Sequence, residues 1–373
     1  MSRHLLLIGG GHSHVEVIRR FALAPEPDAA ITLVSPDRLT PYSGMLPGHV
    51  AGHYSHDECH IDLDRLCRAA GSTRVESTVL GLDLDNRYAR CRNDDALPFD
   101  VLSIDTGSVP ATTTIPGADR HGIAVRPVAD FLQQWDRILA TVTKAKSALR
   151  IAIVGTGAAG VELVLAMHHR IREVRGNARF TLIGDSAAIL TQHPSRLQRR
   201  FMGLLNARGI ELRLDSAVQS VDAGTLLLRD GERLAADEIF WVTGAAAPSW
   251  PASSGLSVDS RGFIAVNAKL QSLSHSRVFA AGDVASMFGA ARPKSGVFAV
   301  RQGPPLARNL RRALRGEPLL DYRPQRRALA LISSGNRYAM ASYGPLAWGG
   351  TWVWRWKDRI DRSFMRRYCM DDG

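Results

Sequence analysis

Val278-Phe279-Ala280-Ala281-Gly282-Asp283-Val284-Ala285 is an apolar run that stops on a Gly-Asp pair. It reads as a short strand, and ligands of open α/β sheets bind beyond the carboxyl ends of parallel strands. A strand that ends this way delivers one carboxylate, Asp283, to a ligand edge. The chain opens on a second such run, Leu5-Leu6-Leu7-Ile8-Gly9-Gly10-Gly11, which passes into a glycine turn. The two read as halves of one FAD site, with Gly9 and Gly11 on the pyrophosphate and Asp283, after Gly282, on the ribityl hydroxyls.

Beyond the first turn, His14-Val15-Glu16-Val17-Ile18-Arg19-Arg20-Phe21 carries apolar positions at helical spacing, and Ile31-Thr32-Leu33-Val34 follows as a strand. Strand, turn, helix and strand make one βαβ unit, whose helix start offers free N–H groups and a positive dipole end to a phosphate. The unit departs from the dinucleotide fingerprint twice. His14 stands at the third glycine, and Ser35 stands where an acidic residue would grip the adenosine ribose. Taken alone the stretch also fits a β-turn of another α/β protein.

The unit then recurs. Arg150-Ile151-Ala152-Ile153-Val154-Gly155-Thr156-Gly157-Ala158-Ala159-Gly160-Val161-Glu162 is a full strand-GxGxxG-helix signature, followed by the strand Phe180-Thr181-Leu182-Ile183. Two units each require their own nucleotide, which is far more specific than one. The acidic position after Ile183 is Gly184, with Asp185 one residue late, so NADH and NADPH are not distinguished. Arg196, Arg199 and Arg200 suit either a 2′-phosphate or a solvated helix face.

Further elements fill the order. Two strands end in Thr-Gly, at Thr106-Gly107 and at Thr243-Gly244; residues 79–83 and 88–91 predict a hairpin; and 126–146 predicts a helix with Phe131, Trp135 and Ile138 on one face. After Pro293-Lys294-Ser295-Gly296 a helical run is expected to break at Gly303-Pro304-Pro305. A fresh helix over 306–315 then starts on proline and ends at Gly316.

The chain has 373 residues, which at roughly 100 to 200 per domain predicts two or three domains. Its net charge of +11 is local: from Arg292 onward seventeen Lys and Arg face six Asp and Glu, and the first 291 residues are balanced. The opening apolar run is too short for a signal-peptide core and has no cleavage site, and no window approaches about 18 uninterrupted apolar residues. Cys59, Cys67, Cys91 and Cys369 have irregular spacings and no Cys-x-x-Cys pair, which predicts a reducing compartment and excludes a disulfide framework. These features point to a cytoplasmic protein, either free or peripheral on the inner face of the cytoplasmic membrane. His49, His53, His56 and His60 lack the spacing of a metal motif, so no metal is expected.

The two glycine turns, the two strand-Thr-Gly segments and residues 278–285, in this order, resemble the pyridine nucleotide-disulfide oxidoreductases, flavoproteins with two dinucleotide-binding domains. The resemblance covers about residues 3–315. Residues 4–15, 40–48 (Thr40-Pro41-Tyr42-Ser43-Gly44-Met45-Leu46-Pro47-Gly48) and 356–368 look like the flavoprotein domain that some bacteria fuse to selenide, water dikinase. Ala299-Val300-Arg301-Gln302-Gly303 is similar to the quinone side of type II NADH dehydrogenases.

The resemblance implies an α/β fold of two Rossmann-like domains. An NAD(P) domain (116–247) is inserted in an FAD domain (1–115 and 248–315), and a small α+β tail (316–373) follows. It implies FAD contacts for Gly9, Gly11, His12, Ser13, Ser35, Gly44, Val79, Thr106, Gly107, Gly282 and Asp283. Gly155, Gly157, Gly160, Thr243 and Gly244 would line the NADH or NADPH site, and Glu162 would orient the nicotinamide carboxamide. Lys294 and the backbone near Val297 would face the flavin pyrimidine and stabilise its anionic reduced form. The family's redox-active cysteine pair is missing, so neither disulfide reduction nor cysteine-dependent sulfide oxidation is expected.

In the tail, Trp352, Trp356, Ile360, Phe364 and Tyr368 advance by fours along one stripe, with Arg355, Arg359, Arg362 and Arg366 on another. That pattern suits an interfacial helix on anionic lipid, and it suits a homodimer contact or packing on the flavin domain equally. Lys357 and Arg367 on the apolar side argue against deep burial, and nucleic acid is the weakest partner. Two functions are therefore expected. The chain is an oxidoreductase passing electrons from a nicotinamide nucleotide through FAD to a quinone-like acceptor near 42–47 and 294–303. Alternatively it is a flavin-containing docking module linked to selenium metabolism, with a vestigial nicotinamide site.

Overall fold

The computed structural model of the protein describes residues 3–110, 115–290 and 292–370. Two five-stranded sheets carry the fold, and every neighbouring pair within them is parallel. The first sheet runs in the order Val278–Ala280, Val101–Ile104, Arg3–Ile8, Ala29–Val34, Thr73–Val75. The Gly-Asp strand therefore lies one strand away from the opening strand, with Val101–Ile104 between them. Leu5, Leu6 and Leu7 are fully buried because both faces of the sheet are covered. Each such side chain contributes about 1.5–3 kcal/mol.

The second sheet repeats the plan in the order Ile123–Ala124, Glu238–Trp241, Leu149–Val154, Ala178–Ile183, Glu211–Arg213. Where the chain leaves the first unit and later returns to it, Val109–Pro110 pairs antiparallel with Ala245–Ala246. The helix Val128–Val142 buries Phe131, Trp135 and Ile138, the face that periodicity picked out. The predicted hairpin forms between Val79–Asp83 and Tyr88–Cys91.

Two expectations are corrected. The helix Gly296–Arg315 is continuous, with Pro304 and Pro305 inside it, so no fresh helix starts at 306. Packing overrides the proline penalty here. Ala299, Gly303, Leu306, Ala307 and Leu310 are buried, and Gly303 lies so close to Ser13 and Glu16 of the first turn helix, His12–Leu23, that a Cβ has no room. The αL stop at Gly316 is as expected.

The tail supplies the second correction. An antiparallel sheet of Ala330–Ser334, Asn336–Tyr343 and Leu346–Gly350 leads into the helix Thr351–Arg366. Its buried face is Val353, Lys357, Asp361, Phe364 and Met365, so Lys357 is interior and not an obstacle to burial. Asp361 takes its Nζ at 2.6 Å, and that pairing makes the burial tolerable. The aromatic stripe divides in consequence: Phe364 and Tyr368 are buried, while Trp352, Trp356 and Ile360 face outward.

Candidate active site

Parallel register sets the first half of the site. The Gly9 N–H donates to Val34 O (2.8 Å), Asp105 N–H to Ile8 O (2.8 Å), and Gly11 N–H to Asp105 O (3.1 Å), so the glycine turn and the Thr106-Gly107 segment share one sheet edge. Gly9 holds φ +93°, with backbone of Asp105 and Thr106 where a Cβ would lie. Gly282 and Asp283 arrive at the same edge, and Gln302 Oε1 accepts the Gly282 N–H at 2.6 Å. Asp283 is nine-tenths buried and takes Arg126 Nη2 at 3.1 Å.

His14, the departure from the third glycine, braces this turn. Its Nδ1 lies 2.7 Å from Gly9 O and its Nε2 2.8 Å from Ser103 Oγ. A carbonyl only accepts, so the proton sits on Nδ1 and Nε2 accepts from the serine. Burial holds the imidazole neutral, down to about 4. Ser13 Oγ donates to Ala299 O at 2.7 Å, tying the first turn helix to Gly296–Arg315. Ser35 is buried at the end of its strand and donates to Asp37 O (3.1 Å). Val79 stands in the separate three-stranded sheet, opposite Cys91.

Lys294 reaches back to the Gly-Asp turn. Its Nζ donates to Ala285 O and lies 4.0 Å from the centre of the Phe263 ring. Burial pulls the ammonium down to about 8, against the pull of Asp283 and Asp259. Val297 is exposed in the first turn of the helix that follows. Gly296, lacking a side chain, leaves room for Ser43 Oγ, so residues 42–44 and 294–297 meet.

At this junction Tyr42 stacks on Phe364 with ring centres 4.2 Å apart, and the His12 ring lies 5.6 Å from Tyr42 and 6.2 Å from Phe364. His12 Nε2 is buried and has no hydrogen-bond partner among the described residues, an unmet need that a ligand can satisfy. Below the rings runs a polar chain. Tyr42 Oη donates to Asp361 Oδ1 (3.2 Å), and Lys357 Nζ donates to Asp361 Oδ2 (2.6 Å) and to Gly44 O (2.5 Å). Burial raises the Tyr42 hydroxyl and the Asp361 carboxyl above their ordinary ranges.

The second half of the site repeats the geometry with more open space. Gly155 has φ +126° under Val242 O, and Gly160 packs on Gly155 O too closely for any Cβ. Gly157 caps the helix Ala158–Glu173 with no side-chain hydrogen bond, and among the described residues nothing lies within 4 Å of where its Cβ would be. Thr243 and Gly244 are exposed beside it. Glu162 turns toward the tail sheet, where its Oε1 accepts Ser333 N–H (2.7 Å) and Oγ–H (2.9 Å). Burial raises its carboxyl, and the Lys357 charge opposes that rise. Arg196, Arg199 and Arg200 are exposed on their helix.

The histidines serve the loop. His49 Nδ1 contacts Tyr54 O, His53 Nε2 contacts Gly335 O, and His56 stacks on His60 with centres 3.9 Å apart. Among the described residues no His, Cys, Asp and Glu group is placed to hold a metal. Cys59, Cys67 and Cys91 are buried and unpaired, and burial pushes the Cys59 thiol up to about 12. Sequence reasoning missed Asp105, Arg126 and the Lys357–Asp361–Tyr42 chain. For Asp105 a signal existed, since alignment of the two strand-Thr-Gly segments sets it opposite Val242.

The family model described as pyridine nucleotide-disulphide oxidoreductase matches residues 3–303. Demethylphylloquinone reductase NdbB of Synechocystis is 27% identical over 272 residues, covering 70% of this chain and 67% of that protein. Type II NADH:quinone oxidoreductase of Staphylococcus aureus is 22% identical over 343 residues, covering 86% and 85%. Among solved structures, sulfide:quinone oxidoreductase of Aquifex aeolicus superposes with a TM-score of 0.82 at 16% identity, over 98% of this chain and 91% of that one. NDH2 of Plasmodium falciparum, solved in complex with NADH, gives 0.82 at 14%, over 98% and 97%. At such identities the structural likeness shows the fold, two parallel-sheet nucleotide units in one chain.

Proposed function

The chain belongs to the pyridine nucleotide-disulphide oxidoreductase family, and on that premise we propose that it is an FAD-dependent enzyme that takes hydride from NADH or NADPH and passes the electrons to a quinone-like acceptor. FAD is assigned to the sheet that holds Arg3–Ile8, and the nicotinamide nucleotide to the sheet that holds Leu149–Val154. The residues fit both groups: the turns at Gly9 and Gly155 exclude side chains, and among the described residues the space before Gly157 is open and His12 Nε2 lacks a partner. When bound, FAD supplies the redox chemistry by accepting a hydride and giving up two electrons.

The chain's own residues do the rest. Asp283 would hold the ribityl hydroxyls, and Lys294 would set positive charge toward the flavin ring, where negative charge develops on reduction. One observation carries the choice of acceptor: Tyr42 and Phe364 stack as an aromatic wall where residues 42–44 meet 294–297, and no paired thiol stands there. A flat quinone ring suits such a wall. Quinones are the acceptors in the names of the relatives from Synechocystis and Staphylococcus aureus.

Quinone reduction consumes protons as well as electrons. Tyr42, Asp361 and Lys357 form a hydrogen-bonded chain that would relay a proton to the acceptor through the Tyr42 hydroxyl, with Lys357 and Asp361 replacing the proton it gives. Tyr42→Phe should keep the stacking and remove the proton. Reduction of the flavin by NADH is expected to stay unchanged, and its reoxidation by a short-chain quinone to slow on the order of 10²-fold. Stopped-flow traces of the two half-reactions check this, and equal reoxidation rates would remove Tyr42 from the proton path.

The tail helix suggests how a lipid-soluble acceptor is reached. Trp352, Trp356 and Ile360 are exposed in a row beside the exposed Arg355, Arg359 and Arg366. Each arginine near an anionic surface contributes about 1 kcal/mol. The peripheral docking face is therefore read as the outer half of the helix whose inner half carries Lys357, Asp361 and Phe364. Removing the helix would strip Phe364, Lys357 and Asp361 from the site, so the test substitutes Trp352, Trp356 and Ile360 by Ser together. Flotation with anionic liposomes should be lost while flavin content holds; flotation equal to the native chain contradicts the docking.

A further inference from the structure

The two nucleotide turns of this chain are internal copies, and one position changes their charge. In the second copy the residue before Thr243 is Val242, whose N–H donates to Val154 O at 2.8 Å, and the adjoining helix Ala158–Glu173 starts with no side-chain cap. In the first copy the same place is held by Asp105, whose N–H makes the same bond, to Ile8 O at 2.8 Å. Its side chain crosses to the first turn helix. There Oδ2 accepts the N–H groups of Ser13 (2.8 Å) and His14 (3.1 Å), and the residue is only 2% exposed.

Those N–H groups are the donors that a phosphate takes at such a turn. The carboxylate is given its space by Gly11 and Gly282, where a Cβ would strike it. It therefore stands between the two stretches assigned to FAD, and it stands there as an anion's equivalent. The charged and titratable groups around it are Asp283 on the Gly-Asp turn, with Arg126 beyond it, and His12 and His14 on the helix. His14 is neutral and fully committed to Gly9 and Ser103, and Arg126 is engaged by Asp283 and Ser108. The hydrogen bonds to Asp105 come from neutral groups, the two backbone N–H groups and the Ser13 side chain.

We propose that Asp105 is a place-holder for the diphosphate: its carboxylate holds the donors of the first turn helix, and FAD binding takes those donors over and neutralises the displaced carboxylate with one proton taken from solution. The proposal rests on the FAD reading above. Its chemistry balances as a carboxylate plus a solvent proton giving a carboxylic acid. Burial, with Asp283 adding to it, already lifts the group to about 7 against the pull of the two N–H groups. A second anion at the same helix end lifts it further. Above that pH the ligand-free chain carries Asp105 ionised, so FAD affinity falls as pH rises, by about tenfold per unit while the bound form stays protonated.

The test titrates flavin-depleted full chain with FAD by calorimetry at about pH 8, in two buffers of different ionisation enthalpy. The native chain is expected to take up close to one proton per FAD. Asp105→Asn, which cannot ionise, should take up close to none, bind roughly tenfold more tightly at that pH, and lose the pH dependence of affinity. Binding without proton uptake in the native chain, or equal uptake by both proteins, overturns the place-holder. If Asp105→Asn does not fold, as circular dichroism would show, the proton count of the native chain decides alone. A native chain that binds no FAD at any pH overturns the FAD reading, and this proposal with it.

Discussion

Gly157→Val is expected to leave a folded, yellow protein that nicotinamide nucleotides no longer reduce. Gly157 sits at φ −71° and ψ −178°, extended backbone that valine adopts without strain, and nothing lies within 4 Å of the new Cβ. The side chain then fills the space in front of the helix start, where the account puts the nucleotide's phosphates. Loss of two hydrogen bonds to a charged group, at about 1.5–3 kcal/mol each, raises the KM for NADH by roughly 10²–10⁴-fold. The neighbouring glycines do not allow such a clean experiment. Gly155 at φ +126° and Gly160 against Gly155 O are needed by the fold itself, so a side chain there would disturb the unit and not just its ligand. Flavin content with the rate of anaerobic reduction separates these outcomes, and an unchanged KM would move the nucleotide elsewhere.

Asp283→Ala is expected to cost the protein its flavin. The carboxylate is nine-tenths buried at the ligand edge and is held by one arginine contact, from Arg126 at 3.1 Å. Two charge-assisted bonds to ribityl hydroxyls lost at this position weaken FAD binding by about 10²–10⁴-fold, again at roughly 1.5–3 kcal/mol each. Asp283→Asn keeps an acceptor without the charge and should fall between the two. Equilibrium dialysis against FAD gives the ratio. Native-like affinity in the alanine variant would mean that the Gly-Asp strand has a purely structural part.

The sequence disclosed those features whose physics is local. A strand that ends on glycines, a helix start that carries free N–H groups and a carboxylate on a strand end are each dictated within a dozen residues, and both nucleotide units were legible for that reason. Even the departure at His14 sat in plain view, although its role as a brace between Gly9 and Ser103 depends on a strand some ninety residues away. What stayed hidden depends on distant partners. Lys357 looked like an obstacle on an apolar stripe although Asp361 stands four residues on, because the burial that makes their pairing matter comes from Gly44 and Tyr42, far off in the chain. Pro304 and Pro305 signalled a break because propensity is local, whereas the close seat of Gly303 on Ser13 and Glu16 belongs to tertiary packing. Asp105 stands one residue before Thr106-Gly107 with no local mark of a role; only its equivalence to Val242, together with the helix end it meets in space, gives it meaning.

The central claim is that one chain carries electrons from a nicotinamide nucleotide in its second unit to a flavin in its first, and on to a quinone. Anaerobic mixing of the purified protein with NADH or NADPH, followed by a short-chain quinone, tests it most directly. The account predicts that the visible flavin absorbance bleaches with at least one of the two nucleotides and returns when the quinone is added. A flavin that stays oxidised for minutes under an excess of both contradicts it.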